Sequence, residues 1–413
     1  MNGHDAPGAP APEARPRGLM RGNVLWLSVA SFLNDAASEM IYPLLPLFLT
    51  GTLGVGAAFV GVVEGVAESA SSLLKLASGW LADRTGRRKA PTALGYAIAA
   101  LGRPLIAMTT VGWQVLAVRL ADRVGKGIRT APRDALLAES VPAEHRGAAF
   151  GLHRAADHAG AVAGPLIASA LLLAWPGDLR TVFALAIIPG VLTVGAVLWK
   201  VRETAPVSPA TSAPPLPRWS ELGPTLPRYL AVLALFTLGN ASDAFLLLRA
   251  AEAGVPVAAI PLLWSVLHVS KAVFSVWGGR LSDRIGARRA IVAGWMVYAA
   301  VYAGFAVVGA AWQVWALFLV YGLYFGLTEA PEKALVAALA PDGRRGSAFG
   351  AYHAAIGIAA LPASVLFGVL WQVFGAQVAF AAGAAFALAA ALLLPWALPR
   401  ERRWGSHARH LSS

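Results

Sequence analysis

A chain of 413 residues with 57% hydrophobic and 14% charged side chains, at a mean hydropathy of +0.61, has too little polar surface for a soluble fold, so the solvent it implies is a bilayer. The net charge of +12 would suit nucleic acid, but the cations are spread over alternate connections between apolar runs rather than gathered in one patch, which excludes that partner. With no cysteine, disulfides and thiolate metal sites are excluded as well.

Residues 1–20, rich in Pro, Ala and Gly and lacking the apolar core of a signal peptide, read as a disordered cytoplasmic tail. Twelve apolar stretches then reach the roughly 18 to 20 residues that a helix needs to cross hydrocarbon. They cover 24–50, 57–82, 91–111, 113–137, 147–174, 180–200, 227–249, 256–280, 289–309, 312–338, 346–374 and 376–398. This predicts an all-α integral membrane protein with a six-helix unit over 21–200, a linker over 201–226 containing Pro206, Pro209, Pro214, Pro215 and Pro217, a second six-helix unit over 227–399, and a tail over 400–413. Lys and Arg mark every second connection, from Arg21, Arg84, Arg87, Arg88 and Lys89 through Arg146, Lys200 and Arg202 to Arg284, Arg288, Arg289, Arg345 and Arg400. The intervening connections are short and uncharged, so the positive-inside rule puts both termini on the cytoplasmic side of a cell (inner) membrane.

Several spans carry charge that lipid would not accept. Asp35 and Glu39 stand four apart in the first span, and Glu64, Glu68 and Lys75 share one helical face of the second. The fourth span contains Asp122, Arg123, Lys126, Arg129, Arg133 and Asp134; a cation at mid-bilayer costs about 2.5 to 3.5 kcal/mol, so this segment must line water or meet carboxylates. In the fifth, Arg154, Asp157 and His158 precede Gly160-Ala161-Val162-Ala163-Gly164-Pro165, where small residues four apart permit close helix contact. Counting residues along each span leaves Asp35, Glu68, Arg123 and Asp157 near mid-membrane. Permanent ion pairs such as Glu68 with Lys75, or Asp122 with Lys126, are the structural alternative to a functional role for these groups. The second half is barer, with Asp243, His268, Lys271, Glu329, Glu332, Lys333 and His353, and its aromatic residues at helical spacing read as packing or interfacial anchors. Pro132 and Pro331, at equivalent places, are candidate hinges.

The chain repeats itself. Gly79-Trp80-Leu81-Ala82-Asp83-Arg84-Thr85-Gly86-Arg87-Arg88-Lys89 recurs 200 residues later as Gly279-Arg280-Leu281-Ser282-Asp283-Arg284-Ile285-Gly286-Ala287-Arg288-Arg289, and Ala131-Pro132, Arg146-Gly147 and Phe150-Gly151 recur as Ala330-Pro331, Arg345-Gly346 and Phe349-Gly350. Six plus six helices with a central linker and these basic turns resemble the major facilitator superfamily of secondary transporters, whose Gly-x-Leu-x-Asp-Arg-x-Gly-Arg-Arg-Lys signature is matched at each fixed position from Gly79 to Lys89. The resemblance implies twelve transmembrane helices as two six-helix bundles related by a pseudo-twofold axis, and a single chain as the working unit. It also implies a conformational latch, in which Asp83 and Asp283 would each meet a helix N-terminus of the other half with Arg84, Gly86, Arg87, Arg88, Arg284 and Arg288 around them; a carboxylate there gains about 0.3 to 2 kcal/mol from the helix dipole. Gly160, Gly164 and Pro165 look like the signature of the superfamily's antiporter branches, although Ala168 stands where that pattern has a further glycine. Arg123, Lys126, Gly127 and Ala131 resemble its fourth-helix pattern, but Lys126 replaces a glutamine and Arg129 a glycine. The added charge points to an anionic or zwitterionic substrate.

The favoured function is therefore a secondary active transporter of a small organic solute, working by alternating access as a proton-coupled exporter. Asp35 is the first candidate for proton carrier, with Glu68 and Asp157 behind it and Arg123 as the cation that controls its charge. Glu39, Glu64, Lys126, Asp243, Lys271 and Glu329 complete the expected cavity. Uptake of an anionic metabolite by proton symport, and a non-transporting receptor of the same fold, are the alternatives. Nothing indicates an enzyme or a cofactor: there is no Walker loop, and His153, Asp157 and His158 lie beside Arg154, whose charge opposes a metal ion.

Overall fold

The computed structural model describes residues 21–85, 88–142, 145–203, 222–341 and 345–398, with backbone alone for 75–85 and 345–347. The two tails and most of the linker lie outside these residues. Every element described is helical and no strand occurs among them, as expected where backbone groups must satisfy one another without water. The first half contains α1 (Gly22–Ile41), a short α2 (Leu45–Leu47), α3 (Ala57–Thr85), α4 (Lys89–Leu105), α5 (Gly112–Glu139), α6 (Arg146–Ala174), α7 (Leu179–Leu185) and α8 (Ile187–Lys200). The second half contains α9 (Thr225–Gly239), α10 (Ala244–Glu252), α11 (Ile260–Ile285), α12 (Ala287–Val307), α13 (Ala311–Leu339), α14 (Arg345–Phe374) and α15 (Ala376–Ala397).

Nine helical segments among the described residues are long and apolar enough to cross a membrane. The expected spans at 24–50, 91–111 and 113–137 are not among them, for reasons visible in the sequence. In the first, α1 carries Asn23, Asn34, Asp35 and Glu39; α4 has only 17 residues; and α5 carries the charged run beginning at Arg119. These helices are sheltered by neighbours instead: α1 packs on α6 and α8, and α5 packs on α3 and α4.

Besides the 180–200 span, which is divided at Ala186 between α7 and α8, two expected spans are discontinuous. After Ile41 the chain passes through a 3-10 turn (Tyr42–Leu44), α2 and a π-type turn (Phe48–Thr52), because Pro43 and Pro46 each remove a donor from the ladder. The 227–249 span breaks at residues 240–243, where Asn240, Ser242 and Asp243 favour local side-chain hydrogen bonds over helix. By contrast α5 and α13 run unbroken through Pro132 and Pro331, so the expected hinges are continuous helix in this structure.

Close approach between helices depends on small residues. On α6, a side chain at Gly160 or Gly164 would run into the backbone of α1 at Phe32 or Ala36. Between halves, Gly61 of α3 abuts the Ser364 carbonyl of α14, and Gly368 of α14 abuts the carbonyl of Ala57. The basic turn between α11 and α12 consists of one residue, Gly286, at φ +88°, a conformation that other residues rarely adopt. The second half is filled with stacked aromatics: Phe236 lies 4.5 Å from Trp295 and Tyr298 lies 4.1 Å from Tyr302, all buried. They are core, as their spacing suggests.

Gly164→Ala should destabilise the protein by about 1–3 kcal/mol through overpacking against α1. Gly151→Ala, in the same helix but with open space beside it, should be neutral or stabilising by up to about 1 kcal/mol. Thermal unfolding in detergent micelles checks both.

Candidate functional site

Arg119, Asp122 and Arg123 of α5 belong to a largely buried network that reaches α1, α3 and α4, while buried Arg129 lies 4.7 Å from the centre of the Tyr96 ring. Arg119 donates from Nη2 to both carboxylate oxygens of Glu64 on α3 at 3.0 Å, and both residues are buried. Asp122, 3% exposed, takes Arg103 Nε of α4 at 2.9 Å on one oxygen and Arg123 Nη2 at 2.9 Å on the other. Arg103 also donates from Nη1 to the carbonyl and side-chain oxygens of Asn34 on α1 at 2.9 and 3.0 Å, and Asn34 Nδ2 donates to Asp35 Oδ1 at 2.9 Å. Arg123 and Asp35, expected as partners, therefore communicate through Asp122, Arg103 and Asn34 rather than by contact. Asp122 pairs with the two arginines and so does not depend on Lys126, whereas the Lys75 side chain lies outside the described residues.

The two helix breaks meet at this network. Tyr42 and Ser242, 200 residues apart, have hydroxyls 3.4 Å apart, and Ser242 Oγ is 3.4 Å from Glu64 Oε2. The Arg119 guanidinium stacks 5.5 Å from the centre of the Tyr42 ring. The ring of Trp264 on α11 lies 5.0 Å from that of Tyr42, and its indole N–H donates to Glu39 at 2.7 Å. His268 Nε2 lies 3.9 Å from the same carboxylate, and Arg123 and Lys126 are within its electrostatic reach. Lys271 sits 3.7 Å from Asp243 and 3.6 Å above the Phe325 ring, while Tyr321 donates to Asp243 at 2.8 Å. Glu39, Glu64, Lys126, Asp243 and Lys271 are thus brought to one boundary between the halves.

The boundary is open at the end that carries the basic turns. Arg154 of α6 and Glu329 of α13 lie about 12 and 15 Å inward from that end by helical rise, yet their side chains are 71% and 61% exposed. They belong to opposite halves, and Arg154 and Lys271 both act electrostatically on Glu329. Lys333 bridges to Glu329 at 3.1 Å; among the described residues exposed Glu68 has Ser72 Oγ at 3.4 Å; half-buried Asp157 gathers Ser31, His153 at 3.7 Å and Arg154 at 3.6 Å. At the far end the halves are closed by the α3–α14 glycine contacts and by Ser169 Oγ donating to the Ala258 carbonyl at 2.7 Å.

Of the expected latch residues in the second half, the structure describes the side chains of Asp283, Arg284 and Arg288. Asp283 and Arg284 are exposed, and Asp283 makes no hydrogen bond or ion pair among the described residues. Arg288 donates to the Pro395 carbonyl of α15 in its own half at 2.9 Å. Arg88 bridges to Glu139 at 3.0 Å, while the Glu203 carboxylate accepts the Arg88 and Lys89 amides at 3.1 Å and so caps α4. Gly79, Asp83 and Arg84 have only their backbone described, and Gly86 and Arg87 lie outside the described residues. Gly160, Gly164 and Pro165 are buried against α1, with no charged group among them.

Asn34, Tyr42, Arg103, Arg119, Ser242 and Trp264 were not singled out as site residues by the sequence. Arg103 carried the clearest unused signal, a lone cation inside an apolar span.

The sequence model of the Major Facilitator Superfamily matches residues 27–331 and 230–412. An uncharacterised MFS-type transporter of Methanocaldococcus jannaschii is 32% identical over 382 residues, covering 90% of this chain and 94% of that protein. A multi-drug resistance efflux pump, PmrA, of Streptococcus pneumoniae is 31% identical over 159 residues, covering 38% of this chain and 39% of that protein. A mutant of the nucleoside transporter NupG superposes with a TM-score of 0.78 at 15% identity, covering 91% of this chain and 100% of that one, a likeness of fold alone.

Asp122→Asn should lower stability by about 3–5 kcal/mol, because it leaves two arginines buried against half a partner. Glu68→Gln, exposed and without an ion pair among the described residues, should change it by less than about 0.5 kcal/mol. Denaturant unfolding of the purified variants distinguishes the two.

Proposed function

Because the chain belongs to the Major Facilitator Superfamily, we propose that it is a secondary active transporter that exports a small organic solute across the cell membrane in exchange for protons. On this reading the helices form twelve membrane passes in two six-helix units, 21–200 and 227–399, joined by a cytoplasmic linker, with both termini cytoplasmic and one chain as the working unit. The observation that carries the reading is the polar boundary between the halves, open to water at the basic end and closed at the other.

The pairing pattern divides the acids by role. Glu64 and Asp122 are committed to buried arginines, and removing their charge would strand a cation. Asp35 is held by an amide and Glu68 by a hydroxyl, so among the described residues either can take up a proton without leaving a cation unpaired. Asp35 remains the first candidate because the chain Asn34–Arg103–Asp122–Arg123 ties it to the charge of α5. A change in solute occupancy near Arg123 or Lys126 would then be felt at Asp35 electrostatically.

Arg154, Lys271 and Lys333 from the two halves, facing Glu329 and Glu39, suit a solute with a negative group and a smaller positive or apolar part. The Lys271–Phe325–Trp264 stack would accept the latter. Export is supported by the likeness to an efflux pump over part of the chain and by the antiporter-like residues of α6. The excess of cations favours the second reading, uptake of an anionic metabolite by symport.

Proteoliposomes loaded at acid pH and offered a panel of labelled organic anions and zwitterions should accumulate at least one of them as protons leave. Asp35→Asn should abolish the gradient-driven accumulation while solute–solute exchange continues. Accumulation only when the outside is acid would favour symport, and no flux with any of the panel would leave a receptor.

A further inference from the structure

At the basic end of the first half, away from the boundary between halves, an open cleft of about 690 Å³ is lined by Arg21, Asn23, Trp26, Trp199, Lys200 and Arg202, with Ser140 at its edge. Among the described residues, three cations and no carboxylate line it. Its geometry is held by Asn23, which accepts the Arg202 amide at 2.8 Å and donates to the Arg202 carbonyl at 2.9 Å and the Ser140 hydroxyl at 3.0 Å. One side chain thereby fastens the start of α1, the end of α5 and the segment after α8. Lys200 stands 5.5 Å over the Trp26 ring. The adjacent acid, Glu203, is turned to the α4 amides and does not neutralise the cleft.

The surroundings distinguish a lipid from a soluble anion. On α8, Ile188, Val191, Leu192 and Leu198 are each roughly half exposed and lead along one face to Trp199, which is 83% exposed. An apolar stripe that ends in a tryptophan and a cluster of cations matches the profile of a phospholipid, chains in hydrocarbon and phosphate at the interface. We propose that the cleft binds the headgroup of an anionic phospholipid, with its phosphate on Arg21, Lys200 and Arg202 and its acyl chains along the α8 stripe. Arginine can hold phosphate through two parallel N–H donors, so the two arginines fix the headgroup while lysine adds charge. The lipid would also anchor the segment from which the linker departs.

Native mass spectrometry of the full chain, delipidated and titrated with dioleoyl phosphatidylglycerol or dioleoyl phosphatidylcholine, tests this. Phosphatidylglycerol should be retained and phosphatidylcholine lost. Combining Arg21→Gln, Lys200→Gln and Arg202→Gln should weaken retention on the order of a hundred-fold, and Arg21→Gln alone, at an exposed helix start where unfolding is not expected, by roughly five-fold. Combining Arg228→Gln, Arg280→Gln and Arg289→Gln, which removes the same charge from exposed positions at the same end, should leave retention unchanged. Equal retention by the cleft variants, equal loss in the control, or displacement of the lipid by glycerol 3-phosphate at matched concentration would overturn the assignment, the last of these in favour of a soluble phosphate.

Discussion

The arrangement depends on how few carboxylates are available to α5. Arg119 and Arg123 lie on a helix that cannot face lipid, and Arg103 enters from α4, so three guanidinium groups converge on Glu64 and Asp122. Breaking a buried pair costs about 3–5 kcal/mol, which is a large share of the stability of any domain. The two acids are therefore committed to these pairs, which tie together α1, α3, α4 and α5. Asp35 and Glu68, which lack such partners among the described residues, retain the freedom that a coupling group requires.

A second constraint follows from the helix breaks. Pro43 and Pro46 interrupt the first passage and the Asn240–Asp243 segment interrupts its counterpart, and the hydroxyls of Tyr42 and Ser242 meet there with Glu64 beside them. Tyr42 and Ser242 stand at the repeat offset of 200, and the breaks bring them together. Irregular backbone at membrane depth is tolerated where protein or water surrounds it, and membrane transporters commonly use such sites for ligands. The breaks thus place the ion-pair network of the first half directly against Asp243, Trp264 and Lys271 of the second.

Much of this was legible in the chain. The apolar spans, the duplicated turn and the charge of α5 follow from hydropathy and periodicity, and the small residues of α6 do pack closely. The breaks were not, because proline in a membrane helix can equally be absorbed: Pro132 and Pro331 leave α5 and α13 continuous while Pro43 and Pro46 do not. Partner choice was also hidden. Asp122 selects Arg103 from another helix, a pairing that intrahelical spacing cannot reveal, and Trp264 reaches Glu39 across 225 residues. Nor does the sequence state which end is open; Asp283, expected at the latch, is exposed in this structure.

The central claim is that the polar boundary opens at one end while the other is sealed, and that the openings alternate. The absence of cysteine makes single-cysteine labelling direct. Cysteine at Ser275, exposed one turn beyond Lys271, and separately at Ala57 in the α3–α14 seam, would be treated with a membrane-impermeant maleimide from each side of oriented vesicles. The account predicts labelling at 275 from the basic end alone, and labelling at 57 from the opposite side that rises only as labelling at 275 falls when a pH gradient is imposed. Reaction of both positions at undiminished rates under every condition would contradict it.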